Sequence, residues 1–235
     1  MMPLTLKYIY HSCFAVVTEG AVIVFDYSRD NAQGELRSLI AERGNRQLYF
    51  VVSHFHEDHY NPDILTVEGA KLLVSYDTAK RRHIKGDKAT AILRPGDIYS
   101  DEHLQLRAMR STDVGISSLV TLPDGTVIYH AGDNNNWYFS EEGSDNIRCS
   151  LQEMEGLFYS IVQEVKRTVP SVDYVMFPVD PRLGKEMLRG VCQWLCQITT
   201  KHFYPMHCWE RMEYVRESLE PLKELFPSVE FVVPE

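Results

Sequence analysis

Ser53-His54-Phe55-His56-Glu57-Asp58-His59 packs three histidines and two carboxylates into seven residues. An apolar run, Leu48-Tyr49-Phe50-Val51-Val52, precedes it and reads as a buried strand. Strand ends are where α/β proteins place chemical groups, because a rigid sheet fixes the loop while leaving it open to solvent. In an extended loop His54 and His56 can point the same way, whereas Asp58 and His59 follow where the chain turns and can face a second ion. Imidazole and carboxylate donors together suit zinc, manganese or iron. Without an ion so dense a cluster carries heavy desolvation and repulsion costs, so the stretch reads as a metal site.

The 235 residues suffice for one large domain, and the expected organisation is a single domain over residues 1–235. Hydrophobic residues make up 44% and charged residues 24%, ordinary values for a soluble globular chain. The net charge of −9 argues against nucleic acid, whose phosphates demand a basic surface. A small anionic substrate stays compatible, because a bound dication changes the local field. No signal peptide and no membrane-length apolar run is visible. The five cysteines lack disulfide-scaffold spacing. These features point to a cytoplasmic protein with reduced thiols.

Outward from the histidine loop, residues 6–10, 14–18 and 21–26 read as strands, and residues 34–43 as a helix. Further strands are expected at 71–75, 91–93, 104–109, 117–122 and 126–131, with a short basic helix at 78–84. The second half alternates helices (151–169, 188–200, 214–226) with strands (174–179, 202–206, 231–233). The fold class is α/β.

A metal site needs donors from several strand ends. Ile128-Tyr129-His130-Ala131-Gly132-Asp133 runs from a strand into a small-residue turn and a carboxylate; Phe203-Tyr204-Pro205-Met206-His207 ends a strand in a histidine. His54-x-His56-x-Asp58-His59, then Gly132-Asp133, then His207, resemble in content and order the signature of the metallo-β-lactamase superfamily of hydrolases. His11-Ser12-Cys13-Phe14 and Val22-Ile23-Val24-Phe25-Asp26 look like the opening of its branch of sugar-phosphate lactonases and N-acyl-phosphatidylethanolamine phospholipases.

The resemblance implies a four-layer αβ/βα sandwich with one or two divalent ions at the shared edge of two sheets. It places His54 and His56 on the first ion, Asp58, His59 and His207 on the second, and Asp133 between them. Asp58 would also accept the proton of the attacking water. Flavodiiron oxidoreductases resemble the motif but carry glutamate where this chain has His56, so histidine points to hydrolysis.

One position departs from the pattern. Where the superfamily supplies a third histidine to the first ion, this chain reads Met109-Arg110-Ser111-Thr112-Asp113-Val114-Gly115. Asp113 is either a substitute oxygen ligand, favouring harder ions such as manganese, or a turn residue before glycine. Ser111 or Thr112 could instead merely line the pocket.

Four other residues carry open roles. His11 either reaches the pocket or packs elsewhere; Asp26 either bonds the histidine loop or ends a strand. Arg182 either clamps an anionic group or lies in an exposed loop. Trp137, after Asn134-Asn135-Asn136, either walls the pocket or packs in the core. Cys208 is assigned no ligand role, since neighbours in an extended segment point oppositely.

The expected activity is metal-dependent hydrolysis of a small phosphorylated, lactone or other ester or amide substrate, with zinc first and manganese or iron as alternatives. The other reading is a metal- and ligand-binding protein of the same fold with weakened catalysis, motivated by the missing histidine.

Overall fold

The computed structural model describes residues 4–139 and 145–234. Two mixed sheets face one another. The first has the order β1 (Thr5–Tyr10), β2 (Cys13–Val17), β3 (Ala21–Phe25), β4 (Gln47–Val52), β5 (Ala70–Ser75) and β6 (Ala91–Leu93). Its opening pairs are antiparallel, and β3 through β6 run parallel. Interior parallel strands are covered on both faces, which is why Ala21–Phe25 is apolar at every position and buried throughout.

The second sheet contains β7 (Ile98–Ser100), β8 (Gln105–Met109), β9 (Ser117–Thr121), β10 (Val127–His130), β11 (Ser171–Pro178), β12 (Thr199–Met206) and β13 (Glu230–Phe231), in reverse spatial order. Strands β7 to β10 form an antiparallel meander, and β10 to β13 pair in parallel. The turn Asp124-Gly125 closes the β9–β10 hairpin, with Gly125 at φ 87°.

Helices cover the outer faces. Leu36 of α1 (Glu35–Ala41) and Ala79 of α2 (Tyr76–Arg81) pack with Val22, Val24, Leu48, Phe50 and Val74 of the first sheet. On the other side Phe158 of α3 (Asp145–Thr168) meets Phe177 edge-on, and Trp194 of α4 (Arg189–Leu195) stacks on Tyr129. Val215 and Leu219 of α5 (Met212–Leu225) join the same core. Between the sheets, His130 stacks on Phe25 at 4.8 Å. The layers therefore run helices, sheet, sheet, helices, the αβ/βα sandwich that the resemblance implies.

Two local expectations differ from the structure. The helix read over residues 188–200 ends after Leu195, because β-branched Thr199 and Thr200 already belong to β12. Strand β7 went unread: it is three residues long and Ile98 is 47% exposed, so it lacks an apolar pattern.

Asp101, just after β7, ties the two sheets together. Its Oδ2 accepts from Tyr49 Oη (2.7 Å), Tyr99 Oη (2.7 Å) and Lys71 Nζ (2.8 Å), and its Oδ1 from the His103 amide (2.9 Å). Burial alone would raise its carboxyl; the hydrogen bonds from Lys71, Tyr99 and Tyr49 outweigh this and hold it well below the usual carboxylate range. A depressed folded-state pKa stabilises above the unfolded value of about 3.9 and is lost as pH falls through the folded one. Asp101→Asn is expected to cost about 2–3 kcal/mol at neutral pH and to flatten the acid limb of a melting-temperature profile.

Candidate metal centre

The parallel strands of both sheets deliver their C-terminal ends to one edge, and the histidine loop leaves β4 there. Asp26, which follows β3 at φ 45°, organises that loop. Its Oδ1 accepts from the Ser53 amide (2.7 Å) and its Oδ2 from Ser53 Oγ (2.6 Å). Oδ2 also accepts from His59 Nδ1 (2.7 Å). Because Ser53 Oγ spends its proton on Asp26, it accepts from His54 Nδ1 at 2.9 Å. Both rings are thereby fixed with Nε2 as the lone-pair nitrogen, the orientation that a buried orienting carboxylate imposes on metal-binding imidazoles.

Two glycines allow the neighbouring loops to close on Ser53. A Cβ on Gly115 (φ 83°) would sit 2.1 Å from the Ser53 carbonyl oxygen, which also accepts from the Ile116 amide at 3.0 Å. A Cβ on Gly132 (φ 54°) would sit 2.7 Å from Ser53 Cβ. Gly115 thus brings Asp113 in, and Gly132 brings Asp133. Thr112 joins the two loops: its Oγ1 donates to the Asn135 carbonyl at 2.7 Å, and its amide donates to Asn134 Oδ1 at 3.2 Å.

Of the three donor groups among the described residues, Asp26 with His54 and His59 is fully buried, and the other two face the pocket. His54, His56, Asp113 and Asp133 offer atoms all within 4.8 Å of one another, and so do His11, Asp58, His59 and His207. In the first, His54 Nε2 lies 3.0 Å from His56 Nδ1, 3.6 Å from Asp133 Oδ2 and 3.8 Å from Asp113 Oδ2. In the second, Asp58 Oδ2 lies 3.8 Å from His59 Nε2 and 3.7 Å from His207 Nε2. Asp133 reaches both, because its Oδ1 is 3.1 Å from His59 Nε2 and 3.5 Å from His207 Nε2. Ligands on one ion at bonds of about 2.1 Å lie roughly 3–4 Å apart, and these separations match.

His59 Nε2 and Asp133 Oδ1 are buried without a hydrogen bond of acceptable geometry despite their proximity. An ion between them and the neighbouring donors would satisfy both atoms.

The electrostatics agree. Burial opposes charge on His59, but Asp133 and Asp26 outweigh it and hold the imidazolium up to about 10. Asp133, Asp180 and Asp58 likewise raise His207 well above its ordinary value against burial. His54 goes the other way, pushed down to about 3 by burial and the neighbouring His59 charge. Burial, with Asp133 adding to it, raises Asp113. The carboxylates thus hold protons on imidazoles where divalent ions would otherwise sit, so ions and protons compete for these nitrogens.

The pocket over the donors is lined by His56, Asp58, Thr112, Asp113, Asp133, Trp137, Phe139, Met154, Arg182, His207 and Trp209. A family model described as a β-lactamase superfamily domain matches residues 5–207. The chain belongs to the β-lactamase superfamily.

Among solved structures, this superfamily member is similar to Igni18, a metallo hydrolase from Ignicoccus hospitalis. That match has 16% identity and a TM-score of 0.66 and covers 99% of this chain and 95% of the other. A candidate metal-dependent hydrolase from Parabacteroides distasonis matches at 15% identity and TM-score 0.63, over 97% of this chain and 91% of the other. CmlA, a diiron β-hydroxylase from Streptomyces venezuelae, matches at 12% identity and TM-score 0.55, over 97% of this chain and 48% of CmlA. At such identities the likeness is one of fold. No curated protein sequence matches the chain.

The superfamily member's own residues refine the open roles. Asp113 lies 3.6 Å from His56 Nδ1, beside the first donor group. Asp26 binds the histidine loop through backbone and side chain. Trp137 lines the pocket and donates from Nε1 to the Asp133 carbonyl at 2.9 Å. Arg182 sits at the rim with its guanidinium 4.5 Å from the Trp209 ring, and its Nε and Nη2 bind Asp180. His207 is at φ 60°, so the extended geometry assumed for Cys208 does not hold; Cys208 packs in the core all the same.

Asp180 and Ser53 were not singled out from the sequence. Fully buried Asp180 accepts from His207 Nδ1 (3.1 Å) and Trp209 Nε1 (3.2 Å), which points His207 Nε2 at the site. Asp180→Asn is expected to weaken the ion at His207 about 10–100-fold in competitive chelator titrations.

Proposed function

We propose that the chain is a metal-dependent hydrolase of a small anionic substrate with a phosphoryl, lactone, ester or amide group. The observation that carries this reading is the meeting of two donor groups at Asp133, with His54, His56 and Asp113 on one side and Asp58, His59 and His207 on the other. Divalent ions held there would supply Lewis acidity and lower the pKa of water from about 15.7 to about 7.

The chain's own residues do the rest. Asp58, 30% exposed to the pocket, would take the proton of the attacking water and return it to the leaving group. Trp137, Phe139, Met154 and Trp209 wall the pocket and limit water. Arg182 brings positive charge to the rim of a chain whose net charge is −9, which favours an anionic group there. Asp113 stands where the binding-only alternative supposes a vacancy, which supports catalysis.

A second reading is dinuclear iron oxidation. Asp113 makes the first position richer in oxygen than an imidazole would, which suits iron, and CmlA shares the fold. The test is to load the protein separately with zinc, manganese and iron and assay phosphodiesters, lactones, esters and amides. Hydrolysis that a chelator abolishes and one of the ions restores is the expected result. A loaded protein inert on all four classes counts against hydrolysis, and visible absorbance with iron would favour the second reading.

A further inference from the structure

We propose that His11 is a direct ligand of the second ion position, completing a three-imidazole set with His59 and His207 beside Asp58. The assignment rests on the metal centre proposed above and adds a ligand from the opposite end of the chain.

His11 occupies the turn between β1 and β2, with its backbone at φ 53°. A branched or bulky residue rarely adopts that left-handed conformation, and such residues persist where surrounding contacts over-determine them. Here two contacts do so: the His11 amide donates to Tyr8 Oη at 2.8 Å, and the His11 carbonyl accepts from the His207 amide at 3.1 Å. The second contact couples the first hairpin to the end of β12, so one main-chain bond places two imidazoles side by side with ring centroids 4.3 Å apart.

The side chain is 3% exposed, and its Nε2 is buried without a hydrogen bond of acceptable geometry. That atom lies 3.3 Å from Asp58 Oδ2, and it shares the 4.8 Å cluster with the His59 and His207 donors. A buried imidazole nitrogen facing donor atoms, not a matched hydrogen-bonding partner, is the arrangement an ion satisfies.

The consequence is an asymmetric centre. The second position would hold three imidazoles (His11, His59, His207) with Asp58 and the shared Asp133, whereas the first would hold two (His54, His56) with Asp113 and Asp133. Nitrogen-rich sets favour zinc, and carboxylate-rich sets admit manganese or iron more readily.

The test measures zinc binding to the whole chain by competition with a chromophoric chelator, for wild type, His11→Ala and His11→Asn. Selective weakening of one equivalent by at least about 10-fold, with the other retained and the circular dichroism unchanged, is expected. If neither variant folds, a cobalt-loaded wild-type crystal decides. An anomalous peak about 2.1 Å from His11 Nε2 supports the assignment, and a peak bound by Asp58 with His11 only hydrogen-bonded to that carboxylate overturns it. Wild-type affinities unchanged in both variants overturn the His11 assignment alone. A wild-type chain that binds no divalent ion overturns the metal centre and this ligand together.

Discussion

Asp133→Asn is expected to leave the fold standing while reducing bound metal from about two ions per chain to fewer than one and cutting hydrolysis at least ~10³-fold. Asp133 reaches both donor groups, through Oδ2 toward His54 and Oδ1 toward His59 and His207. An amide presents one oxygen and no charge, so it cannot neutralise two dications or span both. Its own loop stays anchored without the carboxylate, because Thr112, Trp137 and Asn134 bond main-chain and side-chain atoms on either side of it. Elemental analysis, circular dichroism and steady-state rates on one preparation check all three parts. Two retained ions with activity within about 10-fold of wild type would remove Asp133 from the bridging role.

Asp58→Asn is expected to be the most damaging change to turnover for the ion loss it causes. The carboxylate lies within 4 Å of three imidazoles of the second group, His11, His59 and His207, and on the proposed mechanism it would hold the proton of the attacking water. Burial pushes its carboxyl up, but the imidazoles of His11, His207 and His59 around it outweigh that and hold it well below the usual carboxylate range. An asparagine accepts no proton, so kcat should fall about 10²–10⁴-fold even when zinc is raised to saturate the weakened second position. KM should change much less, since the residues walling the pocket are untouched. A kcat that recovers fully at saturating zinc would reduce Asp58 to a ligand with no part in proton transfer.

The contiguous cluster at residues 53–59 is legible in the sequence because it needs no tertiary knowledge: seven neighbours follow a run of buried apolar residues. The α/β class was equally legible, since β3 and β4 carry apolar residues at successive positions and α3 and α5 carry helical spacing, whereas the four-layer sandwich came only with the resemblance of the motifs. Asp113 was left open between ligand and turn because its position depends on Gly115 lying against the Ser53 carbonyl, a contact across sixty-odd residues of chain that periodicity does not record. Nothing in the sequence marks Asp180; its role comes from His207 and Trp209, both brought to it by a different strand end. The run Asn134-Asn135-Asn136-Trp137 reads either as a pocket wall or as an unusual turn; Trp137 lines the pocket, while the three asparagines are buried and Asn134 and Asn135 bond Thr112 beside Asp113. A charged or polar residue whose partner is distant in sequence is where such reading stops.

The most direct measurement is divalent metal per chain by elemental mass spectrometry on wild-type protein purified without chelator and then supplied with zinc or manganese. The proposed centre predicts about two equivalents, with Asp133 and Asp113 among the residues that would hold them. A protein that stays metal-free under saturating ion would contradict the account, because the buried His54, His59, Asp133 and His207, with His56 and Asp58 beside them, would then have no ion to hold.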